Sequence, residues 1–355
     1  MRRHRNARLR FPGTPALAVA LTITVLPAAL TAQEAAGWTP QLAADGKPDI
    51  SGVWDFRTLT PLQRPADQEA VIDETRAAEL EAAAVERARV ADLPSDPEER
   101  RLEVGGEVGG YNNFWFDRGA RVVEDLRTSL IIDPPNGRLP ETHPGIERKT
   151  LGDDKPIDRP VRLRVGGIGL DSYEDRGLAE RCILGFNVGP PITPGGYNQN
   201  IQIFQSVHHV AILNEMVHDT RIVPLDGRPH LPDSVRQWMG DSRGYWDGDT
   251  LVVETKNFSD LVSSFSGSAF SSVGTAWEMH VTEKFRRVAE DTLLYEYTVN
   301  DPATYTRPFT ARLLMKKGDV PLYEYACHEG NYGLYNILSG ARAEEAEATA
   351  SGGGQ

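Results

Sequence analysis

Between residue 111 and residue 327 the chain repeats one pattern: a short run of β-forming residues, then a tight turn, with no long helical pattern in between. The runs fall at 200–206, 208–214, 220–225, 250–257, 277–288, 292–299, 305–316 and 322–327. Turn chemistry separates most of them, as in Asp226-Gly227, Asp247-Gly248-Asp249, Ala289-Glu290-Asp291 and Lys317-Gly318-Asp319. Parallel neighbours would need crossovers of a dozen or more residues, so these connections predict an antiparallel meander. The number of strands and their consecutive connections favour closure into a β-barrel, with a two-sheet sandwich as the alternative. With 33 Gly and 24 Pro in 355 residues, the chain is richer in turn formers than average usage of ~12%. Further upstream, 127–132 runs into Asp133-Pro134-Pro135-Asn136-Gly137, which predicts a hairpin.

The first 110 residues read differently. Residues 1–32 combine five Arg and no acid, an apolar stretch from 16 to 30, and a small residue, Ala32, before Gln33. This is the pattern of a signal peptide, and the stretch, interrupted by Thr22, Thr24 and Pro27, is short for a bilayer span. Its removal takes the formal charge from −13 to −18, which disfavours nucleic acid and anionic lipid as partners and leaves no inserted segment. Localisation is then periplasmic or secreted. Residues 33–110 form an irregular segment containing an acidic surface helix within 67–103, whose narrow stripe is Val71, Ala78, Ala82 and Val85. Gly105 to Gly110 reads as a hinge, lacking the strand and Lys-Ser/Thr of a phosphate loop. The barrel domain spans 111–342, and 343–355, poor in apolar mass, is expected to be disordered. In an oxidising compartment the only two cysteines, Cys182 and Cys327, are expected to pair.

Several blocks resemble a family of exported, uncharacterised bacterial proteins: SGVWDFRTLTPLQRP, YNNFWFDRG, RTSLIIDPPNGRLP, AERCI, PLDGRPHLPDSVRQWMGDSRGYWDGDTLVVETKNF and YEYACHEGNYGLYNIL. The resemblance implies export and a shared architecture, and it carries no catalytic residue with it. Gly52-Val53-Trp54 is also similar to the G-x-W of lipocalin-type barrels, although a helix follows where a lipocalin has strands.

Three places hold candidate chemistry. Residues two apart on a strand share a face, so Trp277, Met279, Val281, Glu283 and Phe285 form one row with a carboxylate inside it. Glu283 is therefore expected to be buried, either with a raised pKa suited to proton transfer or locked to Arg243, Arg286 or Arg312. The second place is the glycine-bracketed stretch from Gly240 to Trp246, expected to be a loop. There Asp241 and Arg243 are candidate catalytic or anion-clamping groups and Trp246 is a stacking surface, or Asp241 caps amides and Arg243 ties loops together. Ser242 lacks the strand-turn-helix frame of a nucleophile elbow. The third place follows the last strand, where His328 beside Cys327 is a candidate acid or base and Glu329 and Asn331 are candidate substrate contacts.

His208, His209, Glu215, His218 and Asp219 crowd one segment, but their spacing matches no recognised metal motif, so no metal is assigned and a site around His209 and His218 stays a minor alternative. No cofactor fingerprint is present. The expected function is a cofactor-independent acid/base enzyme, a lyase, isomerase or hydrolase, acting on a small molecule in a barrel cavity through Glu283, His328 and Arg243. The alternatives are a periplasmic binding module lined by Trp115, Trp246, Trp277, Tyr295 and Tyr297, and a structural protein of the envelope. Convergence of the three titratable groups on one pocket favours the enzyme.

Overall fold

A computed structural model describes residues 38–91, 116–117, 119–150 and 169–352. The expected signal peptide at 1–32, the hinge at 105–110 and Trp115 lie outside these residues. The described chain is mainly antiparallel β, with twelve strands: β1 (Gly52–Asp55), β2 (Ile131–Asp133), β3 (Arg148–Thr150), β4 (Asn200–Gln205), β5 (His209–Asn214), β6 (Thr220–Pro224), β7 (Asp241–Asp247), β8 (Thr250–Lys256), β9 (Ser271–Val273), β10 (His280–Ala289), β11 (Thr292–Asn300) and β12 (Phe309–Lys317). Helix α1 covers Glu74–Ala91 and helix α2 covers Tyr332–Gly352. Among the described residues no helix is long and apolar enough to cross a membrane.

Nine strands form a nearly closed, barrel-like sheet in the order β6-β5-β4-β1-β12-β11-β10-β8-β7. The meander runs through β4-β5-β6 and again through β10-β11-β12, and β1 joins these two parts by pairing with β4 and β12. β12 is long enough for two neighbours on one edge: Lys316 and Lys317 oppose β1, while Thr310 and Ala311 oppose β2. The two ends of the sheet, β6 and β7, lie side by side without ladder hydrogen bonds, and β3 pairs with β9 as a separate ribbon. Gly244 on β7 makes the close approach possible. A Cβ there would lie 2.8 Å from both Leu225 Cδ2 and Val223 Cγ1.

Alternate residues of each strand fill the interior. Trp54, Ile201, Ile203, Val210, Ile212, Val281, Phe285, Tyr295, Tyr297, Phe309 and Leu313 are all at most 1% exposed. The segment 178–192 packs into the same core through Leu178, Leu184, Val188 and Ile192. A large apolar core of this kind supplies most of the stabilisation of a domain this size.

Five local expectations need correction. The stretch from Asp241 to Asp247 is not a loop but strand β7, whose inward positions Ser242, Gly244 and Trp246 lack the apolar alternation that marks a strand. The turn after β2 forms, with the Gly137 amide donating to the Pro134 carbonyl, but no strand returns from it, because β2 pairs instead with β12. The expected strand at 322–327 is irregular, and residues 343–352 continue α2 rather than being disordered. High helix propensity of Ala and Glu outweighs the lack of apolar mass there. On α1 the buried positions are Ala77 and Ala84, while Val85 is 58% exposed, so the expected stripe is displaced around the helix. The Asp73 side chain caps its start by accepting from the Arg76 amide at 2.7 Å.

Candidate functional site

Glu283 is fully buried, as its strand parity predicts, and its partner is Arg221 on β6. The contact is bidentate: Arg221 Nη1 donates to Oε2 at 2.6 Å and Nη2 donates to Oε1 at 2.9 Å. The Tyr295 hydroxyl donates to Glu283 Oε1 at 2.7 Å and accepts from the Ile192 amide at 2.9 Å. The network thus ties β6, β10, β11 and the inserted segment together across the barrel interior. Burial pushes the Tyr295 phenol well above its ordinary value, and the Glu283 charge reinforces the shift. Arg221 Nε and the Tyr297 hydroxyl remain without partners inside the core. The arrangement is a locked ion pair, and the three arginines expected as partners are elsewhere. Arg243 pairs with Asp241, Arg312 pairs with Glu296, and Arg286 lies on the opposite strand parity.

Register separates Arg243 from Glu283. Gly244, Val253 and Glu283 are opposite one another on β7, β8 and β10, and all face inward. Arg243, Glu254 and Thr282 form the adjacent row and face outward. Two side chains of opposite parity on one sheet cannot meet, so the expected convergence of Glu283 with Arg243 does not occur. Ser242 points inward, within hydrogen-bonding distance of the Thr255 hydroxyl at 2.9 Å.

On the outer face the connection between β6 and β7 folds back over the start of β7. Asp241, only 5% exposed, accepts from the Leu231 amide at 2.9 Å and lies 2.9 Å from His230 Nδ1 through the same Oδ2. Its other oxygen accepts from Arg243 Nη1 at 2.6 Å, and Arg243 Nε donates to the Pro229 carbonyl at 3.0 Å. Asn257 Nδ2 fastens the same loop by donating to the Leu231 carbonyl at 2.8 Å. Burial pushes the Asp241 carboxyl up, but the Leu231 amide, His230 and Arg243 outweigh it and hold it below the usual carboxylate range. An ionised Asp241 can only accept, so His230 Nδ1 donates to it.

Two more side chains share this face. Asp241 is opposite Lys256 on β8, and Lys256 and His280 each lie one residue beyond the opposed Thr255 and Val281. The row therefore reads Asp241, Lys256, His280. Burial, with added repulsion from Lys256 and His230, holds the His280 imidazole below its ordinary value, while Asp233 and Glu254 act in the opposite direction. Asp233 Oδ1 lies 3.8 Å from Lys256 Nζ. Nearby, the Arg236 guanidinium lies 3.6 Å from the Trp277 ring centroid.

His328 and Glu329 are exposed on the irregular stretch after β12, so neither shares the buried interior with Glu283. Cys182 and Cys327 form a disulfide (S–S 2.07 Å), which ties this stretch to the segment inserted in the barrel. Asn331 is held by the fold: Nδ2 donates to the Glu180 carbonyl at 2.8 Å, and Oδ1 accepts from the Leu334 amide at 3.4 Å, capping α2. Trp246 is half-buried on the inward parity of β7 with Nε1 unpartnered, and Tyr295 and Tyr297 are enclosed in the core. Trp277, by contrast, is 44% exposed on the outside, so these aromatics do not line one cavity.

His209 opens β5, and His218 follows the far end of that strand, about 17 Å away at 3.3 Å per residue over five steps. Glu215 accepts from Asn200, Asp219 accepts from the Gly185 amide, and His218 Nδ1 lies 3.1 Å from the Tyr325 carbonyl. Among the described residues no group of three or more His, Cys, Asp or Glu is placed to share an ion. Comparison of the chain with family models, curated proteins and solved structures gave no match.

Proposed function

We propose that the protein is an exported acid/base enzyme for a small organic molecule, of lyase, isomerase or hydrolase type, with its chemistry on the outer face of β7, β8 and β10. The observation that carries this reading is the 2.9 Å contact between His230 Nδ1 and a buried Asp241 that the Leu231 amide and Arg243 hold in place. A carboxylate fixed in this way orients the imidazole, and Nε2 is the general base. Asp241 and Arg243, expected from the sequence to be catalytic or anion-clamping groups, are positioning residues in this reading, and His230 takes the place of His328. Export is supported by the arginine-rich, apolar, small-residue beginning of the chain, by the disulfide, and by the resemblance of its blocks to exported bacterial proteins.

The test is turnover of a panel of small esters, lactones, hydroxy acids and carbonyl acids by the full chain. His230→Gln should remove any activity found by a factor of at least 100, the usual contribution of general acid/base catalysis, with little change in melting temperature. Equal rates in the wild type and His230→Gln overturn the reading. A second reading, an interaction protein of the envelope, draws support from the outer-face apolar row Phe204, Ala211, Ile222 on β4, β5 and β6, with Phe204 49% and Ile222 57% exposed.

A further inference from the structure

We infer that the Cys182–Cys327 disulfide is a thiol-exchange site, at which a reductant with positive charge beside its thiol attacks Cys327 and releases the C-terminal arm, residues 319–352, from the barrel. The inference is independent of the His230 reading. Its basis is where the bond lies and what it holds. The arm contributes no strand to the sheet, and Tyr325 and Cys327 are its residues packed against the core. Its Tyr325 carbonyl lies 3.1 Å from His218 Nδ1, Asn331 Nδ2 donates to the Glu180 carbonyl at 2.8 Å, and Arg342 donates to the Leu170 and Asp171 carbonyls at 3.0 Å. Such ties are individually weak at an exposed surface, and the disulfide adds the covalent one.

The bond is open from one side. Cys327, half-buried, lines a surface groove of about 390 Å³ with Ala179, Glu180, Glu324, Tyr325 and Asn331, whereas Cys182 is 7% exposed. Attack therefore falls on Cys327, and Cys182 is the leaving group. Asn331 Nδ2 lies 3.6 Å from Cys182 Sγ, where it donates to the departing thiolate and makes it a better leaving group. Cys182 itself stands at φ 55°, in the left-handed region that a cysteine seldom adopts, and freeing its sulfur removes one restraint that keeps it there. Two carboxylates and no basic side chain line the groove. Glu180 is paired with Arg176 at 3.0 Å, so the exposed Glu324 sets the local field, which opposes an anionic thiol and favours one with an ammonium or guanidinium near its sulfur.

In the exchange, the thiolate of the reductant forms a bond to Cys327 Sγ. The S–S bond breaks, and its electron pair leaves on Cys182 Sγ. A second thiolate of the reductant then attacks the reductant's own sulfur in the mixed disulfide, and Cys327 leaves with the electron pair of that bond. Both cysteine thiolates take protons from water. The protein disulfide gains two electrons and the reductant, oxidised to its disulfide, loses two.

The experiment exposes the folded full chain to cysteamine, a cationic thiol, and to 3-mercaptopropionate, an anionic one. Opening of the bond is followed by intact mass after acid quench, and each rate is divided by that thiol's rate with the uncharged disulfide of 2-mercaptoethanol. Cysteamine should be faster by about fivefold, the ratio for one nearby carboxylate acting in opposite directions on the two thiols, and Glu324→Gln should lower the ratio by at least half. Peptide mapping should place the first adduct on Cys327. Equal normalised rates, a ratio unchanged in Glu324→Gln, an adduct on Cys182, or no opening by either thiol overturns the inference. Arm release is read by amide exchange of the reduced chain and, without any thiol, of the variant carrying Cys182→Ser and Cys327→Ser. Amides of α2 should exchange at least about tenfold faster in both while those of β11 keep their protection. Unchanged exchange in α2 overturns the release, and loss of protection in β11 as well shows a staple of the whole fold instead.

Discussion

Replacing Glu283 by Gln leaves Arg221, whose side chain is 3% exposed, as a charge without a counter-ion inside the barrel. Breaking one half of a buried ion pair costs about 3–5 kcal/mol, because the remaining charge loses its partner and recovers no water. Unfolding entropy of about 2.1 cal/mol/K per residue over roughly 270 described residues gives about 0.57 kcal/mol/K. The melting temperature of Glu283→Gln should therefore fall by about 5–9 °C. Arg221→Met should fall as far, since it strands the carboxylate. The pair Arg221→Met with Glu283→Leu removes both charges and leaves the Tyr295 hydroxyl as an unused donor, at a cost of about 1–3 kcal/mol, less than either single change. Denaturant unfolding of the wild type, two singles and the double gives the coupling directly. Singles within 1 kcal/mol of the wild type, or a double equal to the sum of the singles, would refute the claim that the pair is a mutually dependent internal tie.

Gly244→Ala should open the contact between β6 and β7 and cost about 1–3 kcal/mol, because the new Cβ meets Leu225 and Val223 at 2.8 Å; faster amide exchange in β6 and β7 than in β11 is the readout. Stability should decline as pH falls through the acidic range, because Asp241 is held below the ordinary carboxylate value in the folded chain and its contribution, present above that value, is lost on protonation. Asp241→Asn should flatten this part of a denaturation-versus-pH curve. Cys182→Ser with Cys327→Ser removes a link across 145 residues and should cost up to about 5 kcal/mol, measured by melting with and without reductant. Mass spectrometry of protein recovered from the native envelope should find a chain beginning at or near Gln33.

Parity made the interior legible where strands are amphipathic. On β10 the buried row Val281, Glu283 and Phe285 could be read directly, whereas Trp277, expected in the same row, lies in a turn before the strand and is exposed. Its partner was harder to read. Arg221 shares parity with Val223, but Ile222 on the other face is equally apolar, so β6 offers no clear inside from hydropathy alone. The same blindness hid β7, where inward positions are a serine, a glycine and a tryptophan. His230 was missed for another reason: its link to Asp241 depends on how the β6–β7 connection folds back, and no periodicity encodes that path. The disulfide could be read from the count of cysteines and the expected compartment. His328 shows the limit of that reasoning, since a covalent neighbour fixes a backbone without bringing a site to it.

The place of β1 has a consequence for when the barrel can be completed. Its residues emerge early in synthesis, yet Trp54 pairs with Ile201 on one side and with Lys317 on the other. The second partner appears only some 260 residues later. Until then the strand has half a binding edge at most, and the chain between β1 and β12 is a long loop whose closure entropy must be met before the second ladder forms. β1 thus acts as a keystone set last although it is made first, so the barrel should form after synthesis and not during it, in a late step that joins the two finished meanders.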